Sequence, residues 1–206
     1  MRNNPINTGR KNKMTENVKV MPINQNNIPD RLKLCWGHLD NWTHLEIVRK
    51  SRKWLEEANT FFTPTTFIAY KNDEPIGMIE FIPQKLLKKI RLCPCRIDAD
   101  NKETEERYIL GKEFENFLFI SCLIVSKDNQ GQGVGKTLLN NLLNSQAFKN
   151  SDGALVYVTK RNESWDKYIH WPAGPKEFYL KAGFVIKKTL DNPIGYLLCH
   201  KHARKI

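Results

Sequence analysis

Phe117-Leu118-Phe119-Ile120-Ser121-Cys122-Leu123-Ile124-Val125 carries no charge over nine residues, and after a short polar turn the chain reads Gln130-Gly131-Gln132-Gly133-Val134-Gly135-Lys136-Thr137. An apolar stripe at helical spacing follows at once: Val134, Leu138, Leu139, Leu142, Leu143 and Ala147. The reading is a buried strand, a glycine turn and a helix start. A strand uncharged on both faces belongs inside a sheet. Glycine lets the backbone approach a ligand closely, and the first N–H groups of a helix have no partner within it. Together they form a seat for a phosphate.

The elements on either side can be read outward from there. Val18, Val20 and Ile23 suggest a first strand, and Asn27 a cap for a helix carrying Ile28, Leu32, Cys35 and Trp36. Thr43 and Glu46 have capping-box spacing ahead of a second helix with Leu45, Val48, Ser51, Leu55 and Ala58. Residues 65–70 and 76–82 read as a hairpin around Lys71-Asn72-Asp73-Glu74-Pro75, and Pro83 ends its second strand. Residues 84–112 are basic and irregular, long enough to hold a short helix. A strand over 154–159 follows the glycine-turn helix, then an aromatic loop. Pro175 suits the first turn of a short helix over 175–182, and Gly183 its end. Residues 184–188 and 194–199 close the chain as an antiparallel pair.

The chain has 206 residues, five cysteines without regular spacing and a formal net charge of +11. The reading is a basic disordered tail over 1–16 and a single domain over 17–206. No stretch approaches the roughly 20 apolar residues that span a bilayer, so no membrane partner is expected and the location is cytoplasmic. The cysteines fit reduced thiols. Positive charge gathers in the first twenty residues, at Lys85, Lys88, Lys89, Arg91 and Arg96, and at Lys201, Arg204 and Lys205. Cys93-Pro94-Cys95 has one spacer where zinc pairs have two to four, so no metal is expected.

Two phosphate-binding patterns fail on spacing. A Walker A loop requires glycine at the position of Gln130. A dinucleotide fingerprint requires its third glycine where Lys136 stands. Gln130-x-x-Gly133-x-Gly135 instead resembles the acyl-CoA-binding motif of the GNAT superfamily of N-acetyltransferases. Glu177-Phe178-Tyr179-Leu180-Lys181-Ala182-Gly183-Phe184 is similar to that family's second landmark, a tyrosine-bearing helix ending in Gly-Phe. The order of elements agrees over about 17–200. The aromatic loop through His170-Trp171-Pro172 resembles a bacterial and archaeal subset of unassigned substrate.

The resemblance implies an α/β fold: a mixed, mostly antiparallel sheet flanked by helices, with a splayed parallel strand pair that receives acetyl-CoA. It implies transfer of an acetyl group to an unidentified amine. Backbone amides of Gln130, Gly131, Gln132, Gly133, Val134, Gly135 and Lys136 would hold the pyrophosphate, with side-chain help from Lys136 and Thr137. Leu123 and Val125, with Ile124 between them, would pair with the pantetheine arm as an added strand. Asn162 would touch that arm, and Phe178 would stand beside the cofactor.

Tyr179 would protonate the leaving sulfur. Some members carry a basic carboxylate early in the central strand; here that position is Phe119. Glu80 is the leading base, its flanks Ile79 and Phe81 pointing to the other face, against the alternative of a solvated strand glutamate. His170 is the second base, and a water relay the third route. Cys122 reads as a small buried hydrophobe or a residue on the substrate side. The alternatives in other classes are a CoA-holding module without turnover and a basic nucleic-acid binder, the latter disfavoured. Oligomeric state stays open between monomer and homodimer.

Overall fold

A computed structural model describes residues 18–36, 45–90, 110–159, 173–191 and 194–201. The expected basic tail, the capping residue Thr43, Cys93 and Cys95, Asn162 and His170 lie outside the described residues. The chain runs β1 (Lys19–Pro22), α1 (Ile28–Trp36), α2 (Leu45–Phe61), β2 (Thr66–Lys71), β3 (Glu74–Pro83) and α3 (Gln84–Ile90). It continues β4 (Leu118–Val125), α4 (Val134–Asn144), α5 (Gln146–Lys149), β5 (Gly153–Thr159), α6 (Lys176–Leu180), β6 (Val185–Asp191) and β7 (Ile194–Lys201). The strands form one seven-stranded sheet in the order β1-β2-β3-β4-β5-β7-β6. Every pairing is antiparallel except β4 with β5. The mixed sheet with a parallel central pair is the architecture the resemblance implied.

β4 is uncharged because both of its faces are covered. Phe119 enters the core built by Ile28, Leu32, Trp54 and Leu55 from α1 and α2, together with Leu155 and Tyr157. Leu118 and Ile120 enter the opposite core with Val134, Leu138 and Leu142 of α4 and Tyr179 of α6. Period-two alternation in the strand thus serves two helical layers at once.

Several boundaries differ from the sequence reading, β6 among them, which runs to Asp191 where Lys188 was the expected end. The hairpin turn is tighter: Asn72 (φ 51°) and Asp73 (φ 62°) both take the left-handed region, and Glu74 and Pro75 join β3. A two-residue turn with both central φ positive matches the twist of the paired strands, and Asn and Asp tolerate it best among side-chain-bearing residues. The helix after the glycine turn breaks at Ser145, whose backbone is extended and whose hydroxyl accepts from the amide of Phe148 to start α5. Pro175 stands one residue outside α6, at its N-cap. Gly183 ends that segment with φ 89°, as expected of a residue closing a helix in the left-handed region.

Asn27 precedes α1 as expected, but its side chain turns back into the loop. Its carbonyl oxygen accepts from the amide of Asn24 at 2.7 Å, and its amide donates to the Pro22 carbonyl at 3.1 Å.

Gly77 on β3 seats α4 against the sheet. A Cβ there would stand 2.9 Å from the Ile124 carbonyl oxygen and 3.3 Å from side-chain atoms of Leu138 and Val134. Gly77→Ala is expected to destabilise the fold by about 1–3 kcal/mol through overpacking. A lowered urea midpoint at unchanged denaturant slope would show it.

Candidate active site

The glycine turn is held by its own side chains. The amide of Ser126 donates to the Ile76 carbonyl at 2.9 Å, and a 3-10 turn over Lys127–Asn129 follows. Gln130 Nε2 reaches back to the Val125 carbonyl at 3.1 Å, and Gln132 Nε2 to the Asp128 carbonyl at 2.7 Å. These braces are tertiary facts that the motif does not announce. Gly131 (φ 72°) and Gly133 (φ 88°) lie in the left-handed region, where a side chain strains the backbone.

Gly133 is the N-cap of α4, and no side chain caps that helix. Its leading N–H groups are thus open to an acceptor from outside the chain. At Gly135 an added Cβ would make only ordinary contacts, 3.6 Å to the Phe178 ring and 3.8 Å to Val125. Packing within the protein does not demand glycine there. Lys136 is exposed, and the Thr137 hydroxyl turns back to the Gly133 carbonyl at 3.3 Å.

The parallel ladder between β4 and β5 is short. It joins Leu118–Ile120 to Ala154–Val156, while β4 continues to Val125 and β5 to Thr159. Past Ile120 the two strands part. Leu123, Ile124 and Val125 are half-buried along this stretch.

Tyr179 shares a core with Ile120, the last β4 residue paired with β5. It is fully buried, edge-on to Phe178 (ring centroids 5.0 Å apart) and to Phe184 (5.2 Å). Its hydroxyl donates to the Ala173 carbonyl at 2.5 Å. Burial pushes its pKa well above the ordinary phenol value, and the nearby Cys122 thiol adds to the shift. Cys122 is itself buried on β4 and is a free thiol. Cys122 packs in a different cluster from Tyr179, with Cys35, Ile68, Tyr70 and Met78.

Glu80 is not a solvated strand residue. Ile79 and Phe81 do point to the opposite core, as expected. Glu80 instead faces α1 and is 1% exposed. One carboxylate oxygen pairs with Arg31 Nη2 at 2.5 Å, and the other accepts from Ser121 Oγ at 2.8 Å. Arg31 is 0% exposed. Sequence reasoning missed Arg31 and Ser121. The signal was present: Arg31 lies on the same helical stripe as Ile28, Leu32 and Cys35, a charged residue at a position that periodicity reserves for apolar ones. A buried charge there needs a buried counter-charge.

Among the described residues, no group of three His, Cys, Asp or Glu could hold a metal ion, and no helix is long and apolar enough to cross a membrane.

Comparison with known proteins adds the following. A sequence model of the acetyltransferase (GNAT) family matches residues 32–184. No curated protein sequence matches the chain. Among solved structures, an N-acetyltransferase of Staphylococcus aureus Mu50 is similar at TM-score 0.55 and 16% identity, over 88% of this chain and all (100%) of that one. The PaiA N-acetyltransferase of Thermoplasma acidophilum, in complex with coenzyme A, aligns at TM-score 0.53 and 13% identity over 90% of this chain and 99% of its own. Naa50 of Arabidopsis thaliana, in complex with the bisubstrate analogue CoA-Ac-MVNAL, aligns at TM-score 0.51 and 20% identity over 90% and 99%. At these identities the likeness is one of fold.

Burial of the tyrosines sets a pH dependence. The pKa values of Tyr179 and Tyr70 are both raised above the ordinary 10.0, Tyr70 by burial first and then by its hydrogen bond to Asp30. Below pH 10 folded and unfolded chains both keep these protons. Above it the unfolded chain ionises first, so stability falls as pH rises. Thermal unfolding followed from pH 8 to pH 11 is expected to show a midpoint declining above about pH 10, less steeply in a Tyr70→Phe, Tyr179→Phe double variant.

Proposed function

The chain belongs to the acetyltransferase (GNAT) family, and from that premise we propose that it moves an acetyl group from acetyl-CoA to an amine by direct attack on the thioester. The observation that carries this reading is that the buried Tyr179 shares a core with Ile120, the last β4 residue paired with β5 before the two strands part company. A thioester threaded between the strands would have its sulfur near the only kind of side chain the reaction needs there, a proton donor.

Each end of the cofactor has a counterpart. The uncapped start of α4 behind Gly133 suits the pyrophosphate, with the amides of residues 130–136 as donors. The side-chain-free face of Gly135 leaves room for phosphate oxygens beside Phe178. Leu123, Ile124 and Val125 lie along the unpaired edge of β4, where pantetheine amides would add as a strand. The Val125 carbonyl already holds Gln130, so that brace shares its acceptor with the arm or yields to it.

In the reaction the amine nitrogen bonds to the thioester carbon, and the carbonyl oxygen takes up negative charge. Backbone N–H groups near residues 123–125 stabilise that oxygen. Collapse breaks the C–S bond, and Tyr179 gives its proton to the sulfur. Its hydroxyl must first turn from the Ala173 carbonyl. Burial keeps it protonated at neutral pH, as an acid requires. The amine proton leaves to water, because both oxygens of Glu80 are occupied.

The same Ala173 hydrogen bond favours a second reading, in which the fold holds CoA without turnover. Calorimetry and a thiol-release assay over an amine panel separate the two. On the acetyltransfer reading the wild-type protein binds CoA and releases thiol. Tyr179→Phe lowers release by about 100-fold or more while CoA affinity stays within about 2-fold. CoA binding without thiol release from any amine would favour the module. Absence of binding heat would remove both readings.

A further inference from the structure

β3 and β4 pair in register on both sides of one point. Gly77–Glu80 face Val125–Cys122, and Phe81–Pro83 face Ile120–Leu118, so Ser121 is an extra residue with no counterpart. Such a bulge bends its strand and re-aims the groups that follow. This one falls directly after Ile120, the last β4 residue paired with β5.

The bulge residue is fastened from the side. Ser121 is buried, and its hydroxyl lies 2.8 Å from a Glu80 carboxylate oxygen and 3.3 Å from the Glu80 carbonyl oxygen. The second carboxylate oxygen is held by Arg31 of α1 at 2.5 Å. Glu80 has another hydroxyl beside it, that of Thr66 across the β2–β3 pairing. That hydroxyl is buried and finds no hydrogen-bond partner among the described residues. Of the two hydroxyls flanking the carboxylate, the one at the bulge is bonded to it.

A buried ion pair contributes little stability over an apolar replacement, since desolvation consumes most of its attraction. Its benefit here is geometric. A bulge set only by backbone hydrogen bonds can relocate along a strand whose residues are all apolar. A carboxylate fixed at both oxygens selects the one position where β4 offers a serine.

We infer that Arg31, Glu80 and Ser121 form a strut that fixes the β4 bulge, and that they are positioning residues for acetyl transfer, aiming the backbone amides after Ser121 at the thioester carbonyl. The inference rests on the acetyltransfer reading above. It assigns Glu80 to alignment and not to proton abstraction. A fixed donor stabilises developing charge without reorganising, so small losses of alignment are costly to rate and cheap to binding.

The test uses the full chain with acetyl-CoA labelled with carbon-13 at the thioester carbonyl. Infrared difference spectra read the carbonyl stretch, which needs no acceptor. In the wild type the bound stretch is expected below its free value. Ser121→Ala should return it at least halfway to the free position, and Ser121→Thr, which keeps the hydroxyl, should retain most of the shift. CoA affinity by calorimetry should stay within about 3-fold, and thiol release should fall about 10-fold to 100-fold in Ser121→Ala. Glu80→Gln should lower release without changing the shape of its pH profile. If that variant does not fold, the two serine variants decide. An unchanged carbonyl shift in Ser121→Ala overturns the strut alone. Loss of one limb of the pH profile in Glu80→Gln makes Glu80 the base and overturns it as well. Absence of CoA binding by the wild type instead overturns the acetyltransfer reading on which the strut depends.

Discussion

The arrangement depends on how β4 is held: buried on both faces over Leu118–Cys122, but paired with β5 only over Leu118–Ile120. A strand with exposed backbone groups is stable in a protein interior only if something else accepts them. Here the remaining edge, from Ser121 to Val125, opens beside a helix that carries a buried tyrosine. The sheet is thus continuous from β3 to β4 along the whole strand and open toward β5 past Ile120.

The glycine turn and α6 are placed by that strand. β4 delivers the chain to the turn at Val125, and Gln130 bonds back to the Val125 carbonyl, so the turn is measured from the strand's own end. Phe178 packs beside Gly135, which joins α6 to the start of α4. One residue on, Tyr179 points inward. The glycine turn and Tyr179, far apart in the chain, therefore share one frame of packed elements. Their separation is a property of packed elements and not of a flexible loop.

On the other face, a buried ion pair joins Arg31 to Glu80 among apolar neighbours. Arg31, Glu80 and Ser121 come from α1, β3 and β4, and they converge where β4 changes register. Ions in such a place are retained only when geometry uses them, because their mutual attraction barely offsets their desolvation. The cluster links a helix on one side of the sheet to the strand edge that opens on the other.

Much of this was legible in the residues themselves. The uncharged run from Phe117 to Val125 required a strand covered on both sides, because alternation puts apolar side chains on both faces and either face left bare would expose them to water. The glycine turn ahead of an apolar stripe required a helix start, and Gly183 a helix end. These are local consequences of side-chain chemistry and sterics, so order along the chain suffices to see them. The tight Asn72-Asp73 turn was misjudged by three residues because strand pairing, not turn composition, drew Lys71 into β2 and Glu74 and Pro75 into β3. Only the tertiary structure decided that Glu80 is buried against Arg31, that Ser121 is the extra residue of a bulge, and that Tyr179 shares a core with Ile120 where β4 and β5 part. Each depends on register or on helices packed across a sheet, where one residue's environment is set by elements far away in sequence. A strand's alternation tells which residues share a face, but not what the fold places over that face.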